Sequence, residues 1–214
     1  MQELIEKDYL KKYKRLIGID ESGRGPLAGP VFVGAVLVES ESEMLLLSKI
    51  GKDSKSLTPK EREKRYFQII RNFKHFSNYA SSKNIDEVNI FKATENTMIK
   101  LISRIIFDNN NNDNDEVFTI IDGNYFKIPY PYKCIVKGDQ ISSLIGAASI
   151  IAKYERDLYM QKLHEIYPYY DFANNKGYPT KKHVENIKRY GIIKEHRVTF
   201  DPIKTFIRQG IIKD

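Results

Sequence analysis

The chain has 214 residues, 35 Lys and Arg against 28 Asp and Glu, and hence a formal net charge of +7, with 41% hydrophobic and 29% charged residues. That size suits one well-packed domain, and that balance excludes a disordered chain. There is no run of about 18 apolar residues to span a membrane and no secretory core in MQELIEKDYLKKYKRL, while the lone Cys134 excludes an intrachain disulfide and a cysteine-rich zinc site. The expectation is a cytoplasmic, monomeric, basic globule with no membrane partner, its charge compatible with a polyanionic ligand.

In chain order, Arg15 to Asp20 (RLIGID) and Val31 to Val38 (VFVGAVLV) read as strands, the second continuously apolar and β-branched as in a strand covered on both faces. The ten residues between them hold three Gly and two Pro, which predicts an antiparallel hairpin. Thr58, Pro59 and Glu61 then spell a helix start, an N-cap with proline at the first position and a T-x-x-E capping box, and the helix runs to about Phe73. Lys74 to Ala80 reads as a third strand. Helical pattern resumes at Asn84, with Phe91, Thr94, Met98, Leu101, Ile102 and Ile105 on one stripe. The tract DNNNNDND, Asp108 to Asp115, reads as a polar loop. Val117 to Ile121 and Tyr132 to Val136 read as buried strands, and Ile141 to Glu165 as a long helix whose Gly146, Ala147, Ala148, Ser149 and Ala152 allow close approach to a sheet. Helices and loops follow to the end. This order predicts an α/β domain with a mixed sheet.

The acids fall at strand ends. Asp20 and Glu21 close the first strand, Asp122 the fourth, and Asp139 follows the fifth. Converging carboxylates repel, each pair at 4 Å by about 1 kcal/mol in water and about 4 in a partly buried site. Hard oxygen donors in such a cluster suit Mg²⁺ or Mn²⁺ rather than zinc. Asp20 and Glu21 can share a site only if the pleat breaks between them, which Gly23 and Gly25 make feasible. Each acid also has a bland reading: Asp139 as a helix cap, Asp122 as a turn residue, Asp20 and Glu21 as a solvated strand end. Spacing leaves both open.

Gly23 to Gly29 (GRGPLAG) fails as a dinucleotide loop, because its spacing is wrong and a strand follows it. It reads better as a turn whose backbone N–H groups approach a phosphodiester, with Arg24 as a forked donor. Ser54 and Lys55 in DSKSL supply a hydroxyl and an ammonium for phosphate contacts. Lys137, Lys153, Arg156, Lys176, Lys181 and Lys182 extend a basic track or are merely solvated. Tyr178 in KGYPT can stack on a sugar or base. The four histidines show no metal-ligand spacing, and Cys134 reads as a buried small hydrophobe.

GIDESGRGPLAGPV (Gly18 to Val31), DSKSLTPKERE (Asp53 to Glu63), IIDGN (Ile120 to Asn124), KGDQISSLIGAASIIAKYERD (Lys137 to Asp157), FANNKGYPTKKH (Phe172 to His183) and HRVTF (His196 to Phe200) resemble, in order, the signatures of the ribonuclease HII, or type 2 ribonuclease H, family. The resemblance implies a ribonuclease H-like fold, a five-stranded mixed sheet flanked by helices, with a catalytic core over 1–165 and a C-terminal helical extension of the same domain over 166–214. It implies an endonuclease that cleaves the RNA strand of RNA–DNA hybrids and cuts 5′ of single ribonucleotides in duplex DNA, as in ribonucleotide excision repair, leaving 3′-hydroxyl and 5′-phosphate ends. By motif, the catalytic, metal-binding acids are Asp20, Glu21, Asp122 and Asp139, holding two divalent cations, Mg²⁺ or Mn²⁺. The junction-sensing residues are Gly23, Arg24 and Gly25, and the sugar-stacking tyrosine is Tyr178. Ser22 replaces a usual Ala, and Asp171 and Asn175 stand where relatives carry Gly and His. Only 19 residues precede Asp20, against the extra N-terminal domain of type 3 enzymes. The tail PIKTFIRQGIIKD shows no clamp-binding pattern, so clamp recruitment stays open. Two rival functions remain: another nuclease on this fold, and a non-catalytic hybrid-binding module.

Overall fold

The structure is a computed structural model that describes residues 5–51, 57–107 and 116–213. Ser54 and Lys55, and the asparagine tract, lie outside the described residues.

Five strands form one sheet in the order β3-β2-β1-β4-β5: β1 is Arg15–Ser22, β2 Val31–Val38, β3 Lys74–Ala80, β4 Val117–Asp122 and β5 Tyr132–Ile135. β1 pairs with β4 in parallel, Arg15 opposite Val117 and Ile19 opposite Ile121, and β4 pairs with β5 in parallel, Ile121 opposite Cys134. β2 is buried along its whole length, as its unbroken apolar run requires. It neighbours β1, as the short connection demands.

The helices are α1 (Lys7–Leu10), α2 (Glu41–Leu47), α3 (Pro59–Asn72), α4 (Ser82–Val88), α5 (Ile90–Phe107), α6 (Gly138–Ile141), α7 (Ser143–Ile166), α8 (Phe172–Asn175), α9 (Lys181–Tyr190) and α10 (Ile203–Arg208). None is long and apolar enough to cross a membrane. The capping box is formed as read: Thr58 accepts from Glu61 N while Glu61 reaches back to Thr58 N. Two expected helices are interrupted. Asn89, at φ +70°, ends α4, and its Oδ1 accepts from Lys92 N to begin α5. Ser142 divides α6 from α7, because its extended backbone stops one helix and its hydroxyl caps the next by accepting from Ile145 N at 3.1 Å.

The chain divides into two compact units. The first comprises 1–22, 33–78 and 95–154. In it α7 lies hard against the strands: a Cβ on Gly34 would stand 2.4 Å from Ala148 O, and one on Gly18 2.6 Å from Leu144 Cγ. Leu16, Val36, Phe118, Ile120, Leu144, Ile145 and Ile151 form its core, joined by Ile69 and Phe73 from the α3 region. The stripe on α5 is buried at Met98, Leu101, Ile102 and Ile105, while Phe91 is half-buried. The second unit comprises 23–32, 79–94 and 155–214, with a core of Leu27, Met160, Leu163, Tyr170, Phe172, Ile187 and Ile203.

Candidate active site

Parallel pairing puts the carboxyl ends of β1, β4 and β5 on one rim, where α/β sheets characteristically bind their ligands. Since Ile19 is opposite Ile121, the next residues on the two strands are Asp20 and Asp122. The strand β1 continues through Ser22, so the expected break in the pleat comes after it, at Gly23 with φ +100°, rather than between the two acids. Their proximity is nonetheless felt. Burial first, then repulsion from Glu21 and from Asp122, holds the Asp20 carboxyl well above the ordinary carboxylate range. A hydroxyl bond from Ser149 and the Glu21 amide, which donates to Asp20 Oδ1 at 2.7 Å, pull the other way.

Asp122 Oδ1 accepts from Gly138 N at 2.6 Å, which ties the end of β4 to the turn carrying Asp139. A side chain on Gly138 would meet that same oxygen at 3.3 Å. Asp139 is fully buried in the first turn of α6 and does not serve as a cap, since α7 is capped by Ser142. The bland reading of Asp139 therefore fails. The described residues hold no ready-made group of three His, Cys, Asp or Glu side chains that could bind a metal. The donor chemistry still fits a hard divalent cation: all four groups offer oxygen only, and burial together with the charges of Glu21 and Asp122 raises Asp20. Cys134 is half-buried rather than fully buried, with burial raising its thiol pKa.

In the second unit, Gly23 to Gly25 and Tyr178 come together. A Cβ on Gly25 would stand 3.6 Å from Tyr178 Cε1, and Leu27 N donates to Gly177 O at 2.8 Å. The tyrosine ring is 46% exposed, available for stacking. Its carbonyl accepts from His183 Nδ1 at 2.9 Å. The His183 and His196 Nε2 atoms are 3.2 Å apart, and His196 Nδ1 accepts from Ile193 N, so His196 is the donor of the pair.

The substituted positions fit their surroundings. Asp171 sits at φ +60°, where Gly is the easy choice, and is held by Asn174 Nδ2 and Lys182 Nζ. Asn175 is buried, donating to Tyr170 O and accepting from Gly177 N at 2.7 Å, so it braces the turn before Tyr178.

Arg156 requires a correction. Read from sequence as part of a basic track, it is fully buried, donating to Pro30 O, Ala28 O and Lys176 O. Arg197, which sequence reasoning passed over although HRVTF contains it, is likewise fully buried. A hydrophilic guanidinium gives no local sign of burial when its partners are carbonyls from distant segments.

A family model described as Ribonuclease HII matches residues 17–203. Ribonuclease HII of Thermotoga maritima is 36% identical over 210 residues, covering 98% of this chain and 83% of its own. That of Enterococcus faecalis is 39% identical over 208 residues, covering 97% and 77%. Among solved structures, ribonuclease H2 of Pyrococcus horikoshii superposes with a TM-score of 0.73 at 26% identity, over 94% of this chain and 100% of that one.

Proposed function

Because the chain belongs to the ribonuclease HII family and is a ribonuclease H endonuclease, we propose that it hydrolyses the RNA strand of RNA–DNA hybrids and cuts 5′ of single ribonucleotides in duplex DNA, leaving 3′-hydroxyl and 5′-phosphate ends. In this reading it acts as a cytoplasmic monomer in ribonucleotide excision repair. The observation that carries it is the shared rim, where the Asp20 carboxyl is held high by burial and by the charges of Glu21 and Asp122, and Asp122 is hydrogen-bonded to the turn bearing Asp139.

Asp20, Glu21, Asp122 and Asp139 would hold two divalent cations, Mg²⁺ or Mn²⁺. Such ions, when bound, lower the pKa of water and neutralise charge on a leaving oxygen. The four acids orient and charge-balance that site, and none acts as the nucleophile. Gly23, Arg24 and Gly25 would read the 2′-hydroxyl, the group that separates RNA from DNA, while Tyr178 packs on the neighbouring deoxyribose. Ser54 and Lys55 would contact phosphate. Lysines on the exposed surface add attraction that weakens as salt rises.

The test is cleavage of a duplex with one embedded ribonucleotide beside an all-DNA duplex, in Mg²⁺, in Mn²⁺ and in chelator. Only the first substrate is cut, and only with a cation. Asp122→Asn lowers kcat by about 10²–10³-fold or more while substrate still binds. Normal turnover in that variant would remove Asp122 from the site and favour a hybrid-binding module.

A further inference from the structure

Arg197 is a fully buried arginine whose hydrogen bonds all go to main-chain carbonyls: Nη2 to Gly23 O at 2.7 Å, Nη1 to Arg24 O at 2.9 Å, and Nη2 and Nε to Gly29 O at 2.7 and 3.0 Å. Among the described residues, no carboxylate forms a salt bridge with it. Asp86 acts on it only at a distance and spends its own oxygens on Val198 N and Thr199 N. Beside it Arg156 holds the next carbonyls, Ala28 O and Pro30 O. Burial draws both guanidinium pKa values down, to about 9 for Arg197 and about 10 for Arg156, yet both stay charged at neutral pH. Two buried guanidinium charges held by main-chain carbonyls are costly, and simple packing does not call for them.

The peptide geometry shows what they accomplish. In a planar trans peptide the C=O and the following N–H point in opposite directions. The carbonyls of Gly23 and Arg24 both end on the same guanidinium, so the amides of Arg24 and Gly25 both point away from it, side by side. Two consecutive amides aimed the same way make an anion-binding concavity. The cation behind the carbonyls polarises those peptides and makes the amides better donors.

We propose that Arg197 is the positioning residue that builds this two-amide cradle for the ribonucleotide. This rests on the reading that Gly23 to Gly25 contact the ribonucleotide, and it names the side chain that sets that contact. A lysine keeps the charge but not the fork, since it is a single point donor. Arg197→Lys therefore tests geometry apart from charge.

In chelator, so that nothing is cleaved, the Kd of the full chain is measured for duplexes with one ribonucleotide and with none. Wild type prefers the ribonucleotide. Arg197→Lys loses about tenfold of that preference, the scale of one or two misplaced hydrogen bonds. With cation present its kcat falls more than its KM rises. A variant that melts earlier but keeps the wild-type preference makes Arg197 merely structural and overturns the proposal. Absence of any preference in wild type overturns the loop reading itself. If the lysine variant does not fold, the Arg197 Nη–Hη resonances of wild type, whose nitrogens hold the Gly23 and Arg24 carbonyls, carry the test: they shift with the ribonucleotide duplex and not with DNA, and unmoved resonances overturn the proposal.

Discussion

A Cβ on Gly23 would stand 2.0 Å from Arg156 Nε, at a φ of +100° that side chains rarely adopt, whereas one on Gly25 meets Tyr178 Cε1 at an ordinary 3.6 Å. The two glycines of one short motif therefore answer different demands. Gly23→Ala strains the backbone by about 1–3 kcal/mol and displaces a buried guanidinium, so it lowers Tm. Gly25→Ala leaves Tm within about a degree, since nothing in the protein obstructs it, and a loss of cleavage there reports contact with substrate. Thermal melts and initial rates on the embedded-ribonucleotide duplex separate the two. Asp20 and Asp122 stood out in the sequence because a buried strand that ends in a carboxylate is conspicuous one residue at a time, whereas β5, before Asp139, was expected to be buried and is largely not, its only buried residue being Ile135. Arg156 and Arg197 did not stand out, because their carbonyl partners come from segments far away in the chain.

At the level of elements, local signals were the readable ones. The box at Thr58 to Glu61 needs only four residues, and it is formed as spelled. The strand Lys74–Ala80 also falls where its pattern put it. The break at Ser142 was hidden in an unbroken helical pattern, since it depends on Glu6, 136 residues earlier. The buried Glu6 accepts from Ser142 Oγ at 2.7 Å and from Leu144 N at 3.4 Å, so a carboxylate from beside α1 seals the start of α7. A negative charge at a helix N-terminus is favourable, and here it also fixes the corner that carries Asp139. Ser142→Ala removes the cap of α7 and one of the donors to Glu6. It costs about 1 kcal/mol for the cap, or about 2–4 °C in Tm for a chain of this size. It also lowers kcat at saturating substrate by freeing Asp139, three residues upstream. A melt that drops without any change in kcat would confine Glu6 and Ser142 to structure.

Across the whole chain, the strand composition implied a sheet, but only the observed register shows that β1, β4 and β5 run parallel and end together. The stability of the molecule carries the signature of its buried titrating groups, which act in opposite senses. Burial and then His183 pull the His196 pKa down to about 3, and burial lowers His183, both from 6.5. The unfolded chain therefore binds more protons below pH 6.5, and the stability these histidines supply at neutral pH is lost as pH falls toward 3. Asp20 is the reverse: its folded pKa lies well above 3.8, so the folded chain binds the extra proton between the two values. Its charged form is a burden at neutral pH, and the burden lifts as pH falls. In chelator, Asp20→Asn removes that burden, and its Tm exceeds that of wild type at pH 7, each kcal/mol relieved being worth about 2–4 °C. The gap narrows as pH falls toward 3.8, because wild type regains the same relief by taking up a proton, while the histidine loss is common to both proteins and cancels. Melting curves of both proteins at closely spaced pH values, with cleavage measured alongside, check the point. A gap that does not change with pH would mean that neither burial nor the charges of Glu21 and Asp122 burden the ionised Asp20, and with it would go the electrostatic reason for a cation at the rim.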